Sequence, residues 1–440
     1  MNFYELKPTN ENVSKTLVED SSKRRNLAVV RFIQLLNKIN TSCSISLDGN
    51  WGSGKTFFVK QVQMLIDASN GNLPDIQDKV RNKIEGIMTD YDLHKLKNQQ
   101  FCVYFDAWKN DASEEPILAL IYEIIKQYHL SFPQNNMENL TKFGKNILDG
   151  FSIGFAWNMI SINSSGLVKA AEDFTHNPVK CIEKEELLHQ NINNFLEQVR
   201  QINDDEKSKR LVIFIDELDR CRPTFALNLL ERIKHYFDQE YITFVFSTNM
   251  KELSNTVKAY YGMNFDAERY LDKFFDLRLQ LPKIDMNEYI HSLVFYNQEM
   301  NKLSAIFKHV ADFLGLEMRE ITRLLKIYEI AANHYWAYYE SSPINDFDIK
   351  RCKNYILPLL IGLKMTNKQE YEDFIEGKKS ELFTEFLSDS SCDDFFYGED
   401  RKQGCSDFYK DVFTPDQLKE KHKLVLLDSL TLIGMFSDYQ

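Results

Sequence analysis

The chain has 440 residues, with 53 Lys and Arg against 65 Asp and Glu, for a formal charge of −12. At roughly 150 residues per domain this length predicts two or three units. A 43% hydrophobic content can fill their cores, and only 16 Gly and 10 Pro exclude collagen-like or low-complexity chains. Such acidity argues against coating nucleic acid as the main task, while a local basic groove for direct nucleic-acid binding stays open. The seven Cys include no CxxC pair and the nine His are scattered, which predicts reduced thiols and no zinc site. Residues 1–7 lack the basic and apolar regions of a signal peptide, so the expected location is cytoplasmic.

In chain order, residues 13–40 predict an amphipathic helix, with Leu27, Val30, Phe32, Leu35, Leu36 and Ile39 at helical spacing. Residues 45–47 form a short strand that runs into a glycine-rich stretch, and 57–68 follow as a helix. A second strand covers 101–105. The next hundred residues or so, 109–209, are mostly helical in pattern and too long for one crossover, so they predict an inserted subdomain. Inside it, 150–168 (GFSIGFAWNMISINSSGLV) holds 19 residues without a charge. Its strongly apolar part is about 12 residues, short of the roughly 20 that span hydrocarbon. It reads as a buried or partner-facing segment, with membrane contact as the alternative.

Residues 211–215 are a continuous apolar run of the kind buried on both faces of a parallel sheet. Further strands cover 242–246 and 277–281, the last stopped by Pro282. Helical patterns separate these strands, which predicts an α/β fold with a parallel sheet. Beyond Pro282 the strand signal ends. Residues 286–376 read as helices, with Ile321, Leu324, Leu325 and Tyr328 on one face. The stretch 381–411 carries nine acids against three bases and reads as a solvated loop between helices.

Gly49-Asn-Trp-Gly-Ser-Gly-Lys55-Thr56 fits G-x-x-x-x-G-K-[ST], after a strand and opening a helix. Glycines let backbone N–H groups close around phosphates, and a helix N-terminus adds a favourable dipole. The predicted cradle comprises Gly49, Asn50, Trp51, Gly52, Ser53, Gly54, Lys55, Thr56 and Phe57. Lys55 reaches the β- and γ-phosphates, and the Thr56 hydroxyl is a ligand for Mg2+.

A second carboxylate cluster is required at the end of a neighbouring buried strand, and residues 214–219 (FIDELD) supply it. Asp216 is placed to hold Mg2+ through its water shell and Glu217 to polarise the attacking water, with Asp219 able to support either. Asn249, at the end of the fourth strand, has two readings: it orients the catalytic water, or it caps the following helix. Arg220, Arg222, Arg269, Arg319 and Arg323 are candidates to meet the γ-phosphate. Lys23-Arg24-Arg25 reads as a solvated helix turn, with a phosphate contact as the alternative.

These motifs together resemble the KAP P-loop NTPases, whose loop reads G-x-W-G-S-G-K-T, as in residues 49–56. The family's F-x-A-W appears at 105–108, its L-D-R-C at 218–221, its Y-L-[DE]-K-[IF] at 270–274 and its R-x-[IV]-x-R at 319–323. The ordered matches run from about residue 20 to 325.

The resemblance implies an additional-strand (ASCE or STAND-like) P-loop core, with a strand inserted between the phosphate-loop and acidic strands. The expected division is an NTPase domain over 1–285, including the helical insertion at about 109–209, and a helical C-terminal domain over 286–440. Two departures stand out: Asp216-Glu217 replaces the usual pair of aspartates, and Asn249 lies where an aspartate is common. Many family members carry a membrane insertion where this chain has 150–168.

The implied activity is a Mg2+-dependent ATPase that couples turnover to conformational change, with adenine preference drawn from the resemblance alone. Bacterial relatives of this type imply antiphage defence beside nuclease or nucleotide-modifying partners encoded nearby, and a homo-oligomer is possible. The alternatives are a nucleotide-sensing scaffold with negligible turnover, and a membrane-associated ATPase.

Overall fold

A computed structural model describes residues 7–18, 23–97, 99–113, 115–131, 178–203, 206–207, 210–283, 285–294, 303–339, 352–378, 380–388, 407 and 409. Five strands form one parallel sheet: β1 (Cys43–Asp48), β2 (Gln100–Asp106), β5 (Arg210–Asp216), β6 (Ile242–Thr248) and β7 (Leu277–Gln280). Between β2 and β5 sits a small antiparallel hairpin of β3 (Gln201–Asn203) and β4 (Glu206–Lys207). The sheet order is β2-β5-β6-β1-β7. The inserted strand is therefore β6, which separates the phosphate-loop strand β1 from the acidic strand β5, as the sequence predicts. All residues of β5 and β6 are buried, because helices cover both faces of the sheet; such strands need no polar alternation.

Side chains sort by the period of two. Ile45, Leu47, Cys102, Val212, Phe214 and Val245 enter the core shared with the N-terminal helices. Those helices are α1 (Asn10–Val18), α2 (Lys23–Lys38), α3 (Lys55–Ser69) and α4 (Asp78–Asp90). Phe101, Val103, Phe105, Leu211, Ile213, Ile215, Phe244 and Phe246 enter the opposite core. It is covered by α5 (Pro116–Ser131), α6 (Pro178–Val199) and α7 (Pro223–Tyr236). After β6 come α8 (Met250–Tyr261) and α9 (Ala267–Leu271).

Past β7 the chain is helical among the described residues: α10 (Met286–Val294), α11 (Ser304–Leu314), α12 (Met318–Tyr339), α13 (Leu357–Thr366), α14 (Lys368–Ile375) and α15 (Ser380–Ser388). They share a third hydrophobic core that includes Ile290, Phe307, Leu324, Leu360, Phe374 and Phe386. Seven consecutive residues of α13, from Leu357 to Leu363, are buried, so this helix is enclosed on all sides.

Of the helix expected over 13–40, α1 and α2 cover the described part up to Lys38, with 19–22 outside the described residues. One sequence expectation changes: part of the expected loop over 381–411 is α15, whose Phe383, Phe386 and Leu387 are buried. The acids there occupy the outer face of an amphipathic helix, and a charge count averages over both faces. The 150–168 segment lies outside the described residues; among those described, no helix is long and apolar enough to cross a membrane.

Candidate functional site

Parallel pairing puts the carboxyl ends of the strands along one rim. Asp106 aligns with Asp216, Asp216 with Ser247, and Asp48 with both Thr248 and Gln280. Open α/β sheets bind ligands at such a rim. The loop from Gly49 to Gly54 lies there, between β1 and the N-terminus of α3.

Two loop residues need glycine. Gly52 has φ +85°, and a Cβ on it would lie 2.9 Å from the Arg319 Cβ; Gly54 has φ +81° and faces the Arg25 guanidinium. The Ser53 hydroxyl donates to the Asn50 carbonyl at 2.8 Å and closes the turn. Lys55 and Thr56 begin α3, where the first N–H groups have no intrahelical acceptor. Phe57 packs its ring against the core beneath, so its contribution to the rim is its backbone N–H. The Lys55 Nζ donates to the carbonyls of Gly49 at 2.7 Å and Asn50 at 3.1 Å. Burial pushes this ammonium below its ordinary range, opposed by Asp219, Asp216 and Glu217.

Asp216 is completely buried at the end of β5. Its Oδ2 accepts from the Thr56 hydroxyl at 2.7 Å and the Tyr104 hydroxyl at 3.0 Å, and its Oδ1 from the Glu217 N–H at 3.1 Å. Burial raises the carboxyl, while the hydrogen bonds from Thr56 and Tyr104 and the charge of Lys55 hold it down. The Tyr104 ring is capped by Lys60, whose Nζ sits 3.3 Å from the ring centroid. Two hydroxyls converging on one carboxylate oxygen keep the Asp216 group in place, and Thr56 and Asp216 together form a hard oxygen donor pair.

Glu217 follows in a left-handed backbone conformation, φ 62°, that non-glycine residues rarely adopt. Burial and the Asp216 charge push its carboxyl up to about 7, and its side chain forms an ion pair with Arg220. Asp219, expected to support either role, makes two hydrogen bonds of its own. Its Oδ2 accepts from the Trp51 indole N–H and its Oδ1 from the Thr248 hydroxyl at 3.1 Å, so it fastens the phosphate loop to β6. Trp51 itself stays 46% exposed, which makes that tether its main anchor.

Asn249 caps α8: its Oδ1 accepts from the N–H groups of Lys251 at 3.1 Å and Glu252 at 3.4 Å. Of the candidate arginines, Arg220 pairs with Glu217 and Arg222 with Asp111. Arg269 and Arg323 are exposed, and exposed Arg319 lies beside Gly52. A further link joins the loop to the helices, with the Asn50 Nδ2 donating to the Glu317 Oε1 at 2.8 Å.

Sequence reasoning missed two groups, Tyr104 and Lys60, and gave a third, Arg25, a different setting. Tyr104 alternates with Cys102 along β2, on the face turned to α3, and that period was its signal. Lys60 is one turn after Thr56 on α3. Arg25, read as part of a solvated turn, is instead buried behind the loop, donating to the carbonyls of Ser53 and Gly54. It stands four residues before Val29 on the buried stripe of α2, a spacing that marks it as inward.

A parallel sheet with this loop on β1, a buried aspartate on β5 and β6 between them defines a nucleotide-binding P-loop NTPase. The KAP family P-loop domain matches residues 25–357, and the chain belongs to that family. The chain is also 29% identical over 174 residues to an uncharacterized protein of Methanocaldococcus jannaschii, covering 32% of this chain and 86% of that one. Among solved structures, the ORC2 protein of Aeropyrum pernix in its ADPNP-ADP complexes is similar at 10% identity, with 95% of each chain covered and a TM-score of 0.34.

Proposed function

We propose that the chain binds ATP with Mg2+ and hydrolyses it, coupling turnover to movement of the helical part. The observation that carries this is the Thr56–Asp216 contact with Glu217 next in sequence, a donor pair and a base at one strand end. Thr56 and, through water, Asp216 would hold Mg2+, which when bound would neutralise charge on the β- and γ-phosphates. Lys55, the loop N–H groups and the α3 N-terminus orient the polyphosphate. Glu217, once released from Arg220, accepts the proton of the attacking water. Asn249 spends its Oδ1 on the α8 cap, so the atom it has for orienting that water is Nδ2.

ATP rather than GTP, and a setting in bacterial antiphage defence beside proteins encoded nearby, rest on the family resemblance. Division into an NTPase unit over 1–285 and a helical unit over 286–440 is supported by the separate core of the helices after β7. Cytoplasmic location rests on the sequence, and recovery only in a detergent-extracted membrane fraction would reverse it.

The test is ATP binding and turnover by wild type, Lys55→Ala, Glu217→Gln and Asn249→Ser. Lys55→Ala should lose nucleotide affinity, and Glu217→Gln should keep it while turnover drops about 10²–10⁴-fold. Wild-type turnover by Lys55→Ala would overturn the site. Asn249→Ser keeps a cap and removes the amide, so wild-type turnover there would limit Asn249 to capping.

A second reading has its own observation. Arg220 holds the Glu217 carboxylate and also packs against Trp108, 5.6 Å from the ring centroid. A base held this way suits a nucleotide-sensing scaffold with little turnover, for which Glu217→Gln would change nothing in steady-state hydrolysis.

A further inference from the structure

Arg25 comes from α2, thirty residues before the loop lysine, yet it is buried at 4% exposure against the back of the loop. Its Nη1 donates to the Ser53 carbonyl at 2.9 Å and its Nη2 to the Gly54 carbonyl. The Phe58 ring packs alongside, 5.9 Å from the guanidinium carbon. A Cβ on Gly54 would come within 3.1 Å of Nη2, so glycine at this position also admits the arginine. Burial lowers the guanidinium to about 10, still charged at neutral pH.

The two carbonyls belong to the peptides Ser53–Gly54 and Gly54–Lys55. In a planar trans peptide the C=O and the N–H point in opposite directions. Fixing those two oxygens towards Arg25 therefore fixes the N–H groups of Gly54 and Lys55 towards the rim. A planar guanidinium can grip two neighbouring carbonyls at once, which a lysine ammonium on a flexible stem does far less well.

We infer that Arg25 is a positioning residue of the phosphate site: it orients the Gly54 and Lys55 amides before the polyphosphate arrives, and places a fixed positive charge directly behind them. This rests on the nucleotide reading above. The Gly54 carbonyl also accepts from the Phe58 N–H at 3.1 Å, so without Arg25 it is chiefly the Ser53–Gly54 peptide that could rotate, and phosphate binding would have to order it. The loss would appear as weaker nucleotide binding and a higher KM, with a smaller change in kcat once the site is full.

The experiment compares wild type, Arg25→Met, Arg25→Lys and Lys55→Ala. It measures affinity for ATP in EDTA and in MgCl2, kcat and KM, and backbone amide exchange of the loop without nucleotide. Arg25→Met should weaken ATP binding roughly tenfold or more in both buffers. Its loop amides should exchange faster, and Arg25→Lys should recover part of each effect. Should Arg25→Met fail to fold, Arg25→Lys keeps the charge and most of the stem, and its slackened loop exchange and weakened binding carry the test.

Wild-type ATP affinity and wild-type loop exchange in a folded Arg25 variant would overturn the inference alone. Absence of ATP binding by wild type, matching Lys55→Ala, would instead overturn the nucleotide reading and this inference with it.

Discussion

Asp216 is a carboxylate held by its neighbours before any ligand arrives. Thr56 and Tyr104 both donate to Oδ2, the first from the phosphate-loop helix and the second from the strand beside β5. A buried charge survives only when hydrogen-bonded or paired, and here the bonds also aim it. The Thr56 hydrogen stays on the carboxylate while the oxygen keeps lone pairs that would face a metal ion, and Tyr104 steadies the same carboxylate oxygen. Tyr104→Phe keeps the ring beneath Lys60 and removes one donor. The half-saturating Mg2+ concentration should then rise about three- to tenfold, from the loss of one hydrogen bond to a charged group. A Mg2+ titration of nucleotide binding checks this, and an unchanged midpoint would show that Thr56 and the Glu217 N–H suffice.

At the scale of elements, helix α3 joins the site to the core and carries a partly buried carboxylate, Asp67. Burial raises it from the ordinary 3.8 to about 7, with Lys60 opposing. A raised carboxyl favours the protonated folded form, so folding stability falls as pH climbs from about 4 to about 7 and stays lowered above that. Asp67→Asn should therefore stabilise the protein by ~1–3 kcal/mol at pH 8, with the gain vanishing near pH 4. Urea midpoints at the two pH values decide it; equal midpoints at pH 8 would mean that Asp67 is paired well enough to ionise freely.

Elements were legible in proportion to how strongly local sequence expresses burial. β5 and β6 are apolar runs because both their faces are covered, and the loop is written in glycines and one lysine, so all three could be read directly. The helical stretch 380–388 could not, because the run of acids it opens hides the buried Phe383, Phe386 and Leu387 on the other face. The partners of Asp219 and Arg25 could not be read either. Trp51 and Asp219 are 168 residues apart, and only the packed sheet brings them together. Arg25 looked like one of three basic residues in a row, and the stripe it shares with Val29 is what separates it from a surface cation.

At the scale of the whole molecule, the loop and the helices after β7 are in direct contact. Asn50 is hydrogen-bonded to Glu317, and Arg319 crowds Gly52 so closely that no side chain fits between them. Tyr289 of α10 donates to the Met318 carbonyl and shares a hydrogen bond with Thr322, which ties α10 to the start of α12 beside the loop. A loop that shifts on filling with phosphate must move α12 or break these contacts, which is a physical route for coupling. Glu317→Ala should leave ATP affinity within about threefold, since the lost bond is exposed, while reducing the ATP-dependent change in proteolysis of the helical part. Proteolysis that responds to ATP as in wild type would place the coupling elsewhere.

The strand order also sets a timetable for biosynthesis. β1 is among the first parts of the sheet to be made, yet its two hydrogen-bonded neighbours are β6 and β7. About two hundred residues separate β1 from β6, which at roughly 5–20 residues per second is on the order of ten to forty seconds of translation. During that interval an apolar strand and the phosphate loop attached to it have no sheet to join. The newborn chain therefore depends on α1–α4 to shelter β1, and the nucleotide site can close only after the ribosome has passed the start of α12.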